Sequence, residues 1–227
     1  MTKLGFLSFG HWQDVQGSRT RTGADALLQA VDLAVAAEEV GVDGAYYRVH
    51  HFARQHASPW PLLAAAAART STIELGAGVI DMRYENPFAM AELAAQADLI
   101  AAGRLQLGIS RGSPETVIDG WRAFGYEPAA GESDADMARA HTDKFRRAIA
   151  GEGFAPGNPQ MTGTSALQPI QPQAPGLSER IWWGAGTRAT AIWTAEQGMN
   201  LMSSTLLTED TGVPFDELQA EQISMFR

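Results

Sequence analysis

Short apolar runs alternate with longer helical stripes along almost the whole chain. No other feature restricts its fold so much. Runs at Leu4–Phe9, Asp43–Tyr47, Thr72–Ile80, Arg104–Ile109, 181–183 and Asn200–Ser203 read as strands, several of them ending at glycine. Between and after them lie helical segments at Asp25–Val40, Pro61–Arg69, Pro87–Ala102, Ser133–Ala150, Ala191–Gln197 and Val213–Phe226. The first carries apolar residues at 27, 28, 31, 33, 34, 35, 37 and 40 and stops at Gly41; Ser133 is a ready N-cap for the fourth. Strands that alternate with helices predict right-handed βαβ crossovers and a parallel sheet. Six such units are present. A closed (β/α)8 barrel needs eight, so the expectation is an α/β fold of TIM-barrel type that stops two units short.

One stretch breaks the pattern. Residues 151–179 hold prolines at 156, 159, 169, 172 and 175 with little periodicity, and read as an irregular excursion from a single domain spanning 1–227. The formal charge of −9 opposes a nucleic-acid partner, which would need a basic face. The chain has no cysteine, which removes disulfides, thiolate nucleophiles and Cys-type zinc sites. The N-terminus shows no signal-peptide core, and Leu62–Ala68 is too short to span a bilayer, so a cytoplasmic protein with no membrane partner is expected.

Two strand ends carry candidate chemistry. The fifth strand runs into Gly184-Ala185-Gly186-Thr187 and then a helix, a strand–turn–helix start whose dipole favours a phosphate. The fourth ends at Ser110-Arg111-Gly112, which sets an arginine where it can meet Thr187 on one phosphate if both strands share a sheet. The same turn matches a relaxed G-x-G-x-x-A dinucleotide pattern. It lies on the wrong strand, however, and no acidic residue ends the next one. His50-His51 follow the second strand, where barrel active sites sit, and His50 has the pKa range for proton transfer. Gly76 and Gly78 inside a buried strand mark a bulge or the approach of a flat ligand. His11-Trp12 read either as pocket lining or as an exposed turn.

Taken in order, these pieces resemble the bacterial-luciferase-like flavin-dependent monooxygenases. The resemblance runs through residues 34–44, His50-His51-Phe52 with Ser58-Pro59, residues 68–79, Glu85-Asn86-Pro87, Ala97–Ile100 and Gly103–Gly108 with Arg111-Gly112. It implies a (β/α)8 barrel, usually dimeric, that uses reduced FMN and O2 on a small organic substrate, with the flavin supplied by a separate reductase. It implies a phosphate site at Arg111, Gly186, Thr187 and Thr190, Ser110 near the flavin edge, and a non-prolyl cis peptide joining Gly78 to Val79 beneath the ring. It makes His50 the catalytic histidine, with His11, Trp12 and His51 as candidates for the substrate pocket. The family often has Glu where this chain has Val49.

The alternatives are hydride transfer with the deazaflavin F420, a flavin-binding protein without turnover, and a metal-dependent barrel hydrolase. Histidine spacing disfavours the last, and no metal is expected. Six units would leave an open barrel, from which we expect a homodimer or a piece of a longer protein, with Leu62–Arg69 and Pro87–Ala102 as candidate interface.

Overall fold

The computed structural model describes residues 2–113, 115–204 and 211–227. Its strands are β1 (Gly5–Ser8), β2 (Gly44–Tyr47), β3 (Glu74–Asp81), β4 (Leu105–Ser110), β5 (Gly153–Pro156), β6 (Leu167–Pro169), β7 (Ile181–Ala185) and β8 (Asn200–Ser203). Its α-helices are α1 (Gly23–Glu39), α2 (Trp60–Arg69), α3 (Pro87–Ile100), α4 (Asp134–Ile149), α5 (Pro159–Thr162), α6 (Arg188–Glu196) and α7 (Phe215–Phe226).

Local chemistry accounts for the helix starts. Thr22 with Asp25 and Ser133 with Asp136 form reciprocal capping boxes at α1 and α4, and Asn86 caps α3 ahead of Pro87. At the end of α1, Gly41 takes φ +81°, a left-handed conformation that suits a residue without Cβ.

Six strands form one parallel sheet in the order β1-β2-β3-β4-β7-β8, so every neighbouring pair is joined by a crossover. Among the described residues β1 and β8 each pair on one side only. The sheet is strongly curled. A Cβ built on Gly78 in β3 would lie 3.1 Å from Leu7 Cδ1 in β1 and 3.8 Å from Met202 Sδ in β8. In a flat sheet β8 would be about 14 Å from β3, three strand spacings away. The edge strands therefore lean over the sheet's inner face, and the fold is an incomplete barrel.

On the outer face the sheet packs against alanine-rich helix surfaces. Ala30, Ala34, Ala66, Ala67, Ala91 and Ala94 are buried there with Leu75, Ile80, Leu107 and Ile109. Leu62 and Leu63 of α2 are spent in this core, whereas Leu93, Leu99 and Ile100 of α3 stay exposed. Arg180 fastens β7 onto β4: its Nη2 donates to Asp98 Oδ2 at 2.7 Å and its Nε to the Leu105 carbonyl at 3.1 Å. That anchor sets the ends of β4 and β7 side by side.

β3 contains an irregularity. Ala77 pairs with Leu107 and Ile80 with Ile109, so Gly78 and Val79 together oppose Gly108. The Gly78–Val79 peptide bond is cis, as is Gln171–Pro172.

Residues 151–179 are less irregular than their sequence suggests. β5 and β6 form an antiparallel hairpin across α5, and Ala174 and Leu177 return to the main core. Strands this short show no alternation to read. α6 begins at Arg188, three residues before the expected Ala191, because Thr187 caps it by accepting from Thr190 N at 3.1 Å. Among the described residues no helix is long and apolar enough to cross a membrane.

Candidate active site

The inner face opens at the C-terminal ends of the six strands into a cavity of about 520 Å³. Every strand contributes to it: Leu7 from β1, His50 after β2, Gly78, Val79 and Asp81 from β3, Ser110 and Arg111 from the end of β4, Gly184 from β7, and Met202 and Ser203 from β8. Gly186, Thr187 and Thr190 complete the wall at the start of α6. Arg111 and the α6 N-terminus thus face one cavity, although 76 positions separate Arg111 from Thr187.

At this end Arg111 is half-exposed and its Nη1 lies 3.8 Å from Asp134 Oδ1. Behind it runs a buried ionic network. Arg83 grips Asp81 through Nε and Nη2, at 3.0 and 2.6 Å, and reaches Asp134 through Nη1 at 2.9 Å. Its guanidinium carbon sits 4.4 Å from the centre of the Trp121 ring. Tyr84 donates to Glu115, which lies 3.9 Å from Arg83. Burial raises the Asp81 and Glu115 carboxyls, against the pull of Arg83. Gly112, at φ +94°, belongs to this arrangement because a Cβ there would collide with the Asp81 carboxylate. The Ser110 hydroxyl accepts from Gly112 N at 2.7 Å, which tightens the same turn.

The opposite corner is built differently. His50 is half-buried, and its Nε2 accepts from Arg48 Nε at 2.7 Å, with Ser113 Oγ at 3.3 Å. Burial lowers the His50 pKa, and the nearby charges of Arg48 and His11 lower it further. Because a guanidinium can only donate, Nε2 is the acceptor and Nδ1 carries the ring proton. Burial and Arg48 therefore both favour the neutral imidazole, whose Nε2 lone pair is engaged and whose Nδ1–H can donate a hydrogen bond.

The other candidates lie elsewhere. His51 turns away and stacks on Tyr84 with ring centres 4.1 Å apart, where burial pushes its pKa down to about 4. His11 stacks on Phe9. Trp12 lines a separate cavity of about 290 Å³ beside His56 and Leu62. None of these three is in the wall of the large cavity. Sequence reasoning missed Arg48, Asp81, Glu115 and Arg139, all of which line it. Arg48 alone left a signal, because it stands two positions before His50 in the extended segment that leaves β2.

A crescent of parallel strands with its cavity at their C-terminal ends matches the luciferase-like monooxygenase family, whose sequence profile covers residues 2–220. The chain belongs to that family. It is 26% identical over 214 residues to the oxygenase component of the flavin-dependent trigonelline monooxygenase of Acinetobacter baylyi, a match covering 92% of this chain and 56% of that protein. Among solved structures, monooxygenase RslO1 from Streptomyces bottropensis superposes with TM-score 0.75 and 23% identity, over 100% of this chain and 65% of that one. The oxygenating constituent of 3,6-diketocamphane monooxygenase from Pseudomonas putida, solved with FMN, superposes with TM-score 0.70 and 18% identity, over 98% of this chain and 63% of that one. Matches to curated relatives span 24% to 56% of those relatives' lengths.

Proposed function

We propose that the chain is the flavin-binding part of a monooxygenase that uses reduced FMN and O2 on a small organic substrate. One observation carries this reading: Arg111 and the N-terminus of α6 line one cavity with Gly78 and Val79. A cation beside a helix start suits a phosphate. Gly78 adds no side chain to the wall, and Leu7 Cδ1 and Met202 Sδ lie 3.1 and 3.8 Å from where a Cβ would stand, so a ring would pack on those side chains as well as on backbone. A volume of about 520 Å³ falls within the range of cofactor pockets. On these three counts the residues present fit FMN.

In this reading Arg111, Gly186, Thr187 and Thr190 hold the phosphate, with Arg139 on the same wall. Gly78 and Val79 carry the ring, and Ser110 borders its edge. The reduced cofactor supplies the two electrons that activate O2. His50, pinned through Nε2 by Arg48, offers its Nδ1 proton as a hydrogen-bond donor beside the reacting centre, and the leaning edge strands limit water access. His11, Trp12 and His51 support the wall from outside it. Reduced flavin comes from a separate reductase, a reading supported by the A. baylyi relative being named an oxygenase component. The two single-paired sheet edges and the exposed leucines of α3 support a homodimer, and we read the protein as cytoplasmic.

The test is a flavin titration. Arg111→Ala should weaken FMN binding by about 1.5–3 kcal/mol and leave riboflavin binding unchanged. Equal FMN affinity in the variant overturns the assignment. An absorption spectrum of the cofactor-loaded protein separates oxidised flavin from F420.

A further inference from the structure

We propose that the Arg48–His50–Ser113 corner recognises a carboxylate on the organic substrate. This rests on the oxygenase reading above and adds the class of molecule it acts on.

Arg48 lines the cavity just beyond β2. Its Nε donates to His50 Nε2 at 2.7 Å and its Nη2 to Ser113 Oγ at 3.2 Å. The guanidinium carbon lies 4.9 Å from the centre of the Phe9 ring, which covers one face. These contacts fix the fork in place but supply no negative charge. Among the described residues no carboxylate forms an ion pair with Arg48, whereas Arg111 in the same cavity has Asp134. Burial of the Arg48 charge lowers its pKa, with no acidic group opposing that effect. A partly desolvated cation with unused N–H donors is costly until an anion reaches it.

The geometry also selects among anions. A guanidinium fork matches the two oxygens of a carboxylate. One cation with neutral neighbours balances a single negative charge, whereas the Arg111 end adds a helix start suited to a phosphate dianion. Val49, the residue between Arg48 and His50, also lines the cavity, so the carboxylate should sit on a small apolar skeleton.

Calorimetry of the 227-residue chain with benzoate and its neutral isostere benzamide tests the proposal. Benzoate should bind at least about tenfold more tightly, the equivalent of a charge-assisted hydrogen bond. Arg48→Gln should abolish that preference, and Arg48→Lys should keep part of it. FMN affinity, followed by flavin fluorescence, should stay within about twofold in both variants. Equal binding of the two compounds, or no binding of benzoate, overturns the proposal. So does an unchanged preference in Arg48→Gln, or, if that variant does not fold, the complete loss of preference in a folded Arg48→Lys. A tenfold loss of FMN but not riboflavin affinity would also overturn it, by making Arg48 a phosphate ligand. If wild-type protein discriminates benzoate as expected but binds no FMN, the oxygenase reading falls and the carboxylate site stands.

Discussion

Two corners of one cavity handle positive charge in opposite ways. Around Arg111, three carboxylates, Asp81, Glu115 and Asp134, surround two guanidiniums, Arg83 and Arg111. Around Arg48 there are a neutral histidine, a serine hydroxyl and a phenyl ring. The first corner supplies its cations with acids from within the fold, Arg83 through short bonds and Arg111 through a 3.8 Å contact to Asp134. The second leaves its charge to be balanced from outside. A protein that must keep a cofactor and exchange a substrate gains from both: a rigid seat for the one and an unsatisfied contact for the other.

The contrast can be broken by experiment. The largest effect concerns rate. His50→Ala should slow oxygenation roughly 10²–10⁴-fold, with FMN affinity little changed, because the proton-handling group sits at the uncompensated corner. Equal turnover would make that corner a bystander. Next comes stability. Arg83→Ala strands buried Asp81 and Glu115 without their cation and should cost about 3–5 kcal/mol in urea unfolding. Arg48→Met leaves no buried charge without a counter-ion, only two neutral acceptors without a donor, and should cost no more than about 1–2 kcal/mol. Similar losses in the two variants would refute the comparison.

Gly112→Ala should destabilise by roughly 1–3 kcal/mol, since the residue combines φ +94° with contact to the Asp81 carboxylate. Beside that network, burial pushes the Glu85 carboxyl up to about 7. A carboxyl raised in the folded state contributes stability below its unfolded pKa of about 4.5, and that contribution is lost as pH rises through about 7. Glu85→Gln should therefore be more stable than wild type at pH 8 and no more stable at pH 4, as measured by thermal unfolding. The smallest effect is spectroscopic. Arg48→Met removes one of the charges that lower the His50 pKa, so the histidine should titrate at higher pH in an NMR series. An unmoved titration would mean that burial alone sets it.

Much of the architecture could be read from the chain. The six parallel strands fall within or close to the apolar runs, and Ser133 caps α4 as its position suggests. Arg111 and Thr187 could be paired in advance because both stand where a strand gives way to a loop. The β5–β6 hairpin could not be seen, since strands of four and three residues carry no period. Nor could the ionic network. Arg83 meets Asp134 across 51 positions, and no local pattern announces a partner that far away. His51 shows the limit of adjacency: it follows His50 directly, yet Tyr84 and Phe124 claim its ring.

The two-against-one step in β3 also decides parity. Strand side chains alternate, so odd and even positions normally keep to opposite sides along the whole strand. Counting from Gly78, which faces the cavity, strict alternation would bring Ile80 inward next and send Asp81 to the helices. The extra residue opposite Gly108 shifts the count by one, so Ile80 joins the apolar core and Asp81 reaches the cavity. Forcing Gly78 and Val79 into a regular strand, with one partner each on β4, would exchange an isoleucine for an aspartate on both sides at once, leaving Arg83 without its main acceptor and an acid among the helices. Deleting either residue would instead leave one residue opposite Gly108 and keep the sorting. The odd residue in β3 sorts the rest of that strand into what the core keeps and what the active site receives.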